Sequence, residues 1–571
     1  MGLRLGIVGF QLRAFNDPYC YIMGFIERAL IWVSLLTLVC GLTGKKPNIV
    51  FILTDDQDVT MGGMTPLVNT VSLIGKQGMT FNNMFTTSPL CCPSRSSILT
   101  GNYVHNHNAV NNSISGNCNS KAWQDGPEKK TIATYLKAMG YSTFFAGKYL
   151  NQYGVTKVGG VAHVPPGWDE WNGLVKNSVY YNYTLSVNGK AEEHGDDYTK
   201  DYLTDLINRR SNEFLKKQSE TTPPFFAMVS TPAAHAPFDS APQYEQNFTK
   251  NSAPRGPTFN VAGKDKHWLI RHAPNPMSKI SISTLDDVFR KRWRTLLSVD
   301  DMVKSIVATL TTQKIIDSTY IIFSSDNGYH LGQFSLPMDK RQLYEFDIRV
   351  PLLIRGPNIK PGSVTDSPAL NIDIMPTIIQ LAGDPAPEDV DGLSLVPILI
   401  PNTTNVVELT NRDTLIEHSG EYYPNGYPGC PKTEFLTGEC RSKILVLPAR
   451  DFLVEHEGEW LPKGDFGCKN TNFCTQCSPN CVCEDCQNNT YGCLRSMNIK
   501  TDYVYCEFSD HESFQEYYDL VKDPHQLTNT IKSIPPTKLA DMHKRLILLQ
   551  LCKGSNCRKL LPPDDAPPQK G

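Results

Sequence analysis

Several short runs of consecutive apolar residues, each followed closely by polar residues, most constrain the fold of this chain. They lie at residues 49–53, 144–146, 225–229 and 320–323. Unbroken apolar runs of this length are typical of strands that are buried on both faces of a parallel sheet. Helical periodicity at residues 66–78 and 131–140 falls between the runs. Alternating strands and helices predict an α/β layered fold with a largely parallel sheet.

Acidic and amide side chains follow the first and the last of these runs. Asp55 and Asp56 come soon after residues 49–53, and Asp326 and Asn327 come after residues 320–323. Ligands of α/β sheets bind beyond the carboxyl ends of the strands, so we expect these side chains to converge. A lone Asp-Asp pair is more often a turn or a helix cap. Carboxylates crowded in a dry cleft repel each other, however, and a divalent cation with oxygen ligands, calcium or magnesium, removes the conflict.

Length and charge limit the organisation of the chain and its partners. With 571 residues it exceeds one simple core, which predicts a large catalytic domain and a smaller companion. Residues 401–404 have the composition of a linker. We therefore expect a signal peptide region at 1–44, a catalytic domain at 45–400 and a C-terminal subdomain at 401–571 with a disordered tail. A formal net charge of −3 argues against nucleic acid as a partner.

The N-terminus has the pattern of a secretory signal peptide. Residues 31–42 form an apolar run that is too short to span a bilayer comfortably, and small residues then precede Lys45 and Lys46. These features predict cleavage near Gly44, with Met23 as a more usual start for such a signal. An uncleaved signal anchor is the alternative. No second long apolar run occurs, so we expect no membrane association after cleavage.

Two further patterns agree with export. Five N-x-Ser/Thr sequons predict N-glycosylation. They begin at Asn111, Asn182, Asn247, Asn402 and Asn488. Of the 17 cysteines, eight lie between Cys468 and Cys506. Their C-x-x-C spacings at 474–477 and 483–486 allow a zinc site, but an oxidising compartment favours disulfides, whose connectivity the sequence does not fix.

The strongest local signal is Cys91-Cys92-Pro93-Ser94-Arg95, which continues to Leu99-Thr100-Gly101. Pro93 suits a first helical turn and Gly101 suits a helix end. Cys91 then lies at a helix N-terminus, where partial positive charge favours an anion. Arg95 lies one turn later and can point back to the same place. Two structural cysteines are the alternative, but a disulfide between neighbours is strained and rare.

These residues resemble the signature of the sulfatase family. The resemblance extends over essentially all of residues 46–530. It includes Asp55-Asp56, Gly147-Lys148, His235-Ala236-Pro237, Asp326-Asn327-Gly328, Lys340 and Tyr518-Asp519-Leu520. It implies an alkaline-phosphatase-like α/β fold, with a large mostly parallel central sheet flanked by helices and a smaller C-terminal α+β subdomain. It also implies that a formylglycine-generating enzyme oxidises Cys91 to formylglycine during export.

The resemblance implies a role for each matching residue. The implied ligands of calcium, with magnesium less favoured, are Asp55, Asp56, Asp326, Asn327 and modified Cys91. One hydroxyl of the hydrated aldehyde would attack sulfur, the sugar alcohol would leave, and a sulfated enzyme would remain. The second hydroxyl would then expel sulfate and restore the aldehyde. Arg95 would steady the formylglycine. Lys148 and Lys340 would neutralise sulfate oxygens, and His235 would protonate or hold the leaving oxygen.

One position departs from the family pattern. Many sulfatases place a histidine two residues after the Gly-Lys lysine, where this chain has Leu150. Asn151, or a histidine of His105-Asn106-His107, is the candidate substitute. This departure and other segments resemble the glucosamine-6-sulfatase branch of the family. They are 105–108, 147–151, 266–271, 333–337 and 479–485. The implied substrate is N-acetylglucosamine 6-sulfate at the non-reducing ends of heparan sulfate and keratan sulfate.

Three alternative functions stay open. Extracellular heparan 6-O-endosulfatases share much of the signature but carry a long charged insert that this chain lacks, so an exo-acting lysosomal enzyme, delivered through the secretory pathway or secreted, is preferred. A phosphatase or phosphodiesterase would need serine or threonine in place of Cys91. If Cys91 is never oxidised, the chain would be a sulfated-glycan-binding glycoprotein. The sequence leaves the oligomeric state open, a homodimer included.

Overall fold

The computed structural model describes most of the chain. The described residues are 45–400, 407–420, 440–444, 453–456, 459–462, 481–486, 489–498, 500–510 and 512–558. The predicted signal peptide, the linker, the sequons at Asn402 and Asn488, the side chains of the two C-x-x-C pairs and the C-terminal tail lie outside this part.

The described strands differ widely in length. They are β1 Asn48–Thr54, β2 Met79–Phe81, β3 Met84–Phe85, β4 Ser142–Lys148, β5 Glu170–Leu174, β6 Thr184–Val187, β7 Lys190–Glu193, β8 Phe225–Ser230, β9 Thr319–Ser325, β10 His330–Leu331, β11 Met338–Asp339, β12 Leu352–Arg355, β13 Ser363–Thr365, β14 Ala369–Leu370, β15 Arg412–His418, β16 Cys440–Ile444, β17 Leu453–His456, β18 Glu459–Pro462, β19 Cys481–Cys486, β20 Tyr491–Met497, β21 Asp502–Phe508 and β22 Gln515–Asp519.

Ten of the strands form one large mixed sheet, in the order β13-β2-β12-β9-β1-β8-β4-β5-β6-β7. Its centre is parallel, because β9, β1, β8, β4 and β5 pair in the same direction. Antiparallel pairings of β12 with β9 and of β6 with β5 begin the two edges. The four apolar runs in the sequence are the central strands β1, β4, β8 and β9, so the prediction of a buried parallel centre is confirmed.

Helices cover the sheet. In the described part of the chain, the helices of seven residues or more are α1 Cys91–Thr100, α2 Ile132–Ala138, α3 Leu203–Lys216, α4 Lys279–Thr312, α5 Ile374–Leu381 and α6 Pro536–Leu551. Shorter helices are Val68–Thr70, Val104–His107, Lys121–Asp125, Tyr198–Asp201, Trp268–Arg271, Glu345–Ile348, Val396–Leu399 and Val407–Thr410. Within the described residues, no helix combines the length and the apolar character needed to cross a membrane.

Alternate side chains of β1 face opposite sides of the sheet, as the period of a strand requires. Phe51 and its neighbours in register pack in a core that includes residues of α1, α2 and α5. Val50 and Ile52 pack in a second core with residues of α3 and α4. Each fully buried aliphatic side chain contributes about 1.5–3 kcal/mol, so the two cores fix β1 at the centre of a three-layered structure.

The predicted helix at 66–78 is shorter and differs in type. The structure has an α-helix only at Val68–Thr70, followed by a π-helix at Val71–Gly75. Thr70 and Val71 are β-branched, which lowers their preference for an α-helix. Ile74 is nevertheless buried, as the pattern predicted.

A second, antiparallel sheet follows in the C-terminal part, in the order β15-β20-β21-β22. Helix α6 packs on it through Leu546 and Leu549. The same core includes Tyr103 and Phe334 from the N-terminal part, so the C-terminal sheet packs against apolar side chains of that part. A disulfide between Cys493 and Cys506 joins β20 to β21, as expected for an exported chain.

Candidate active site

The carboxyl ends of two adjacent parallel strands bring four predicted ligands together. Asp55 and Asp56 follow β1, and Asp326 and Asn327 follow β9. The backbone N–H of Asp56 donates to Oδ1 of Asp326 at 3.0 Å, and Nδ2 of Asn327 donates to Oδ1 of Asp56 at 2.8 Å. All four residues are at most 1% exposed. The side chains that follow β1 and β9 therefore lie close together, as the strand pattern predicted.

This cluster fits a hard divalent cation. One ligand atom each of Asp55, Asp56 and Cys91 lie within 4.8 Å of one another. Oδ1 of Asn327 is buried and accepts no hydrogen bond from the described residues, and neither does Oδ1 of Asp55. Buried oxygens without hydrogen-bond donors are expensive unless an ion satisfies them. The donor set is rich in carboxylate oxygen, which suits calcium or magnesium rather than zinc.

Cys91 is the first residue of α1 and is fully buried. Its sulfur lies 3.8 Å from Oδ1 of Asp56. It forms no disulfide, whereas Cys92 is bonded to Cys118. Burial raises the pKa of the Cys91 thiol well above its ordinary value, although two nearby lysines oppose the change. Helix α1 ends at Gly101, whose φ of 70° is in the left-handed region that glycine adopts readily.

Arg95 lies one turn into α1 and binds the acidic side chains of the cluster. Its Nε donates to Oδ2 of Asp326 at 2.7 Å, and its Nη2 lies 3.3 Å from Oδ1 of Asp55. Nη1 donates to the carbonyl of Lys148 and to Oγ of Ser230. Burial opposes the charge on Arg95, but the two carboxylates outweigh it and raise its pKa. Arg95 thus fixes the acidic side chains relative to the helix that carries Cys91.

Two lysines and a histidine lie beside the carboxylates. Nζ of Lys148 donates to Oδ2 of Asp55 at 2.8 Å, and Nζ of Lys340 donates to Oδ2 of Asp56 at 3.1 Å. Nε2 of His235 lies 3.9 Å from the same oxygen of Asp56 and has no hydrogen-bond partner among the described residues. Each side chain is at most 2% exposed. The three predicted catalytic groups therefore surround the predicted metal ligands.

The charges balance, since three carboxylates face three permanent cations. Burial alone would raise the pKa of every carboxyl. For Asp55, however, Lys148 and Arg95 outweigh burial and hold the pKa well below its ordinary value. The pKa of Asp56 is lowered likewise, because Lys340 outweighs burial. Asp326 differs, because burial raises its pKa to about 7 despite Arg95.

The C-terminal sheet also holds the loop of Lys340. Nδ2 of Asn489 and the hydroxyl of Tyr491 donate to the carbonyl of Arg341, at 3.2 Å and 3.0 Å. Arg341 itself has a φ of 96°, an unusual value for a residue with a side chain. The backbone beside Lys340 is therefore fixed by residues about 150 positions later in the chain.

Residues 47–384 match the family model described as Sulfatase, and this range is more than half of the chain. The chain is a member of the sulfatase family. It is accordingly a sulfuric ester hydrolase, with the fold that the sequence predicted.

Similar proteins agree with this assignment. The sulfatase is 50% identical to human N-acetylglucosamine-6-sulfatase over 517 residues, which cover 90% of this chain and 86% of the relative. It is 42% identical to the extracellular sulfatase SULF-1 homolog of Drosophila melanogaster over 379 residues, 66% of this chain and 33% of that one. A solved structure described as BT4656 in complex with its substrate D-glucosamine-2-N,6-O-disulfate has a TM-score of 0.66 at 20% identity, covering 91% of this chain and all of that one.

The structure also shows what lies at the position where the sulfatase departs from the family pattern. Leu150 is fully buried in the apolar core. Among the candidate substitutes, Nε2 of His107 is bound to Ser97, and burial lowers the pKa of His107 to about 3. His105 is bound to Glu417 of β15. Neither histidine contacts a predicted ligand in the described structure.

Asn151, the third candidate, donates from Nδ2 to Oδ1 of Asn177 at 3.3 Å. The residue after Asn177 matters more, because the hydroxyl of Ser178 donates to Oδ2 of Asp55. Ser178 thus contacts the same carboxylate as Lys148. Sequence reasoning missed it, since a serine in an irregular segment carries no signal of its own.

Proposed function

We propose that this sulfatase removes the 6-O-sulfate from N-acetylglucosamine 6-sulfate at the non-reducing ends of heparan sulfate and keratan sulfate. The observation that carries the proposal is the 50% identity to human N-acetylglucosamine-6-sulfatase over 90% of the chain. The absence from the sequence of a long charged insert favours action at chain ends over internal cleavage.

The proposed ion is calcium, held by oxygens of Asp55, Asp56, Asp326 and Asn327 next to the converted Cys91. Magnesium is less suited, because it requires near-ideal octahedral geometry and gives up its water reluctantly. When present, calcium supplies positive charge against the sulfate oxygens, and formylglycine supplies the attacking hydroxyl.

The two lysines and His235 act on the sulfate ester directly. Lys148 and Lys340 donate to sulfate oxygens, and a buried ammonium does so strongly because little water screens it. Burial lowers the pKa of His235, although Asp55 and Asp56 oppose the change. Its Nδ1 lies 2.6 Å from the carbonyl of Ala236, so Nδ1 carries a hydrogen and Nε2 is the atom that protonates or holds the leaving oxygen. Arg95 steadies the ligands around Cys91.

The same proposal includes maturation during export. The chain loses the signal peptide at 1–44, a formylglycine-generating enzyme converts Cys91, and the product acts in the lysosome or is secreted. The sequons at Asn182 and Asn247 are exposed. Asn111 is only 8% exposed and its Oδ1 accepts from Ser113, so a glycan there would have to be attached before folding.

The test is sulfate release at acid pH from a labelled oligosaccharide that ends in N-acetylglucosamine 6-sulfate. A matched oligosaccharide carries the same sulfate only on an internal residue. We expect release from the first substrate and not from the second. Internal release would instead establish an endosulfatase, and release from neither by protein with oxidised Cys91 would show a sulfatase of another specificity.

Mass spectrometry of the peptide that contains Cys91 separates enzyme from binding protein. We expect a mass that corresponds to formylglycine in protein from cells that contain the maturation enzyme. Unmodified cysteine in such material, together with retained binding of sulfated glycan, would establish a binding protein without turnover.

A further inference from the structure

Arg292 is a buried charged residue to which neither the signature nor the proposed mechanism gives a role. It lies in α4 and is 2% exposed. Its sequence context, Arg290-Lys291-Arg292-Trp293-Arg294, has the composition of a solvated basic segment. A guanidinium that is buried this completely must be satisfied by hydrogen bonds.

The guanidinium of Arg292 binds two segments that carry site residues. Nη2 donates to the backbone carbonyl of Asp56 at 2.6 Å and to Oδ1 of Asp58 at 3.1 Å. Nη1 donates to the carbonyl of Ala234 at 3.1 Å. Ala234 precedes His235, and its N–H donates to the carbonyl of Asp55 at 2.6 Å. One side chain therefore connects the β1 end to the loop of His235.

A third segment lies against the face of the same guanidinium. The carbon Cζ of Arg292 lies 3.9 Å from the ring centroid of Tyr329, a distance at which a cation is attracted to an aromatic face. Tyr329 comes two residues after Asn327, and its N–H is bonded to the carbonyl of Phe346. Arg292 thus contacts the segments after β1, β8 and β9.

The backbone of Asp56 shows why such a contact matters. Its φ of 59° is in the left-handed region, which residues with a side chain rarely adopt. Such a conformation persists only where the surroundings fix it from several sides. At Asp56, the N–H is held by Asp326 and the carbonyl is held by Arg292.

We propose that Arg292 is a positioning residue that keeps the three segments in register and thereby sets both the calcium affinity and the turnover of the sulfatase. This role rests on the function proposed above. It requires a planar fork that donates in two directions and stacks on a ring, which lysine cannot reproduce. Arg292 touches neither substrate nor ion; it acts through Asp56, Ala234 and Tyr329.

The test compares Arg292→Lys and Arg292→Met with Arg294→Lys. Arg294 lies in the same helix, and its Nε also donates to a backbone carbonyl, that of Asn247, away from the site. Calcium affinity is measured by titration calorimetry on metal-free protein, and kcat and KM are measured separately with the terminal sulfated substrate. For Arg292→Lys we expect a calcium Kd about 10–100-fold higher and a kcat about 100-fold lower, with KM changed less than about threefold. Arg294→Lys should match the wild type.

A calcium Kd and kcat of Arg292→Lys equal to those of Arg294→Lys would overturn the proposal. If neither Arg292 variant is secreted, Asp58→Asn carries the test, because it removes the negative charge that pairs with the guanidinium and leaves Arg292 in place; we expect the same direction with a smaller change. A wild-type protein that releases no sulfate would refute the proposed function alone, since the calcium titrations would still decide the role of Arg292.

Discussion

Replacement of Lys148 by methionine removes a buried ammonium and keeps most of its apolar stem. Nζ lies 2.8 Å from Oδ2 of Asp55, and both side chains are fully buried. Removal of one partner of such a pair costs about 3–5 kcal/mol, because the other charge stays buried. Asp55 keeps its contacts with Arg95 at 3.3 Å and with Ser178. We therefore expect Lys148→Met to lower the free energy of unfolding by about 3 kcal/mol in the absence of calcium, which is the lower end of that range.

Calcium should separate the stability of Lys148→Met from its turnover. An ion at about 1,000 times its Kd stabilises the folded state by about 4 kcal/mol, which offsets the loss. Calcium cannot replace the Lys148 ammonium as a hydrogen-bond donor to the sulfate oxygens. We therefore expect kcat to remain about 10²–10³-fold below the wild type in excess calcium, as for the loss of one preorganised donor.

The assay is denaturant unfolding in EDTA and in excess calcium, with sulfate release measured on the same samples. Lys137→Met is the matched control, since Lys137 forms an exposed pair with Asp169 that is worth at most about 1 kcal/mol. Equal stability of the two variants in EDTA would refute the burial argument. Wild-type turnover of Lys148→Met in calcium would refute its catalytic role.

Three further outcomes are expected. Cys91→Ser should fold and be secreted but lose nearly all sulfate release, and wild-type activity would exclude the formylglycine mechanism. Asp326→Ala should lose activity together with calcium, measured by elemental analysis; unchanged calcium content would contradict its assignment as a ligand. Burial lowers the pKa of His105, but Glu417 and the carbonyl of Cys552 outweigh it and raise the pKa overall. The His105–Glu417 pair therefore stabilises the fold below about pH 6.5, the pKa of histidine in the unfolded chain. This stabilisation is lost as the pH rises through the pKa of His105 in the folded protein. His105→Gln should lower the unfolding free energy by about 1 kcal/mol at pH 5 and hardly at all at pH 8.5; equal losses would refute the charge argument.

The centre of the fold and the core of the site were predictable because their causes are local. Apolar runs of strand length with polar residues after them identified β1 and β9, and these strands lie side by side with Thr54 opposite Ser325. The residues that follow the two strands, Asp55-Asp56 and Asp326-Asn327, must then lie close together. This convergence does not depend on how many residues separate the two strands in the chain.

The residues that support the ligands were not predictable from the sequence. Ser178 and Ser230 lie in segments with no distinctive pattern, and their contacts with Asp55 and Arg95 depend on tertiary structure. Arg292 resembles its half-buried basic neighbours in sequence, and only the packing of α4 makes it different. The replacement for the histidine missing at Leu150 was not predictable either. The candidates His105, His107 and Asn151 form hydrogen bonds with Glu417, Ser97 and Asn177 instead.

The hydrogen bonds from Asn489 and Tyr491 to the carbonyl of Arg341 have a consequence for inherited variants. A stop codon anywhere between Lys340 and Asn489 would leave an allele that still encodes Cys91 and every proposed ligand. Its truncated product would lack both side chains that fix the loop of Lys340. Genetic screening restricted to the signature region would score such an allele as intact, although the encoded protein would lack the contacts that hold the backbone beside Lys340.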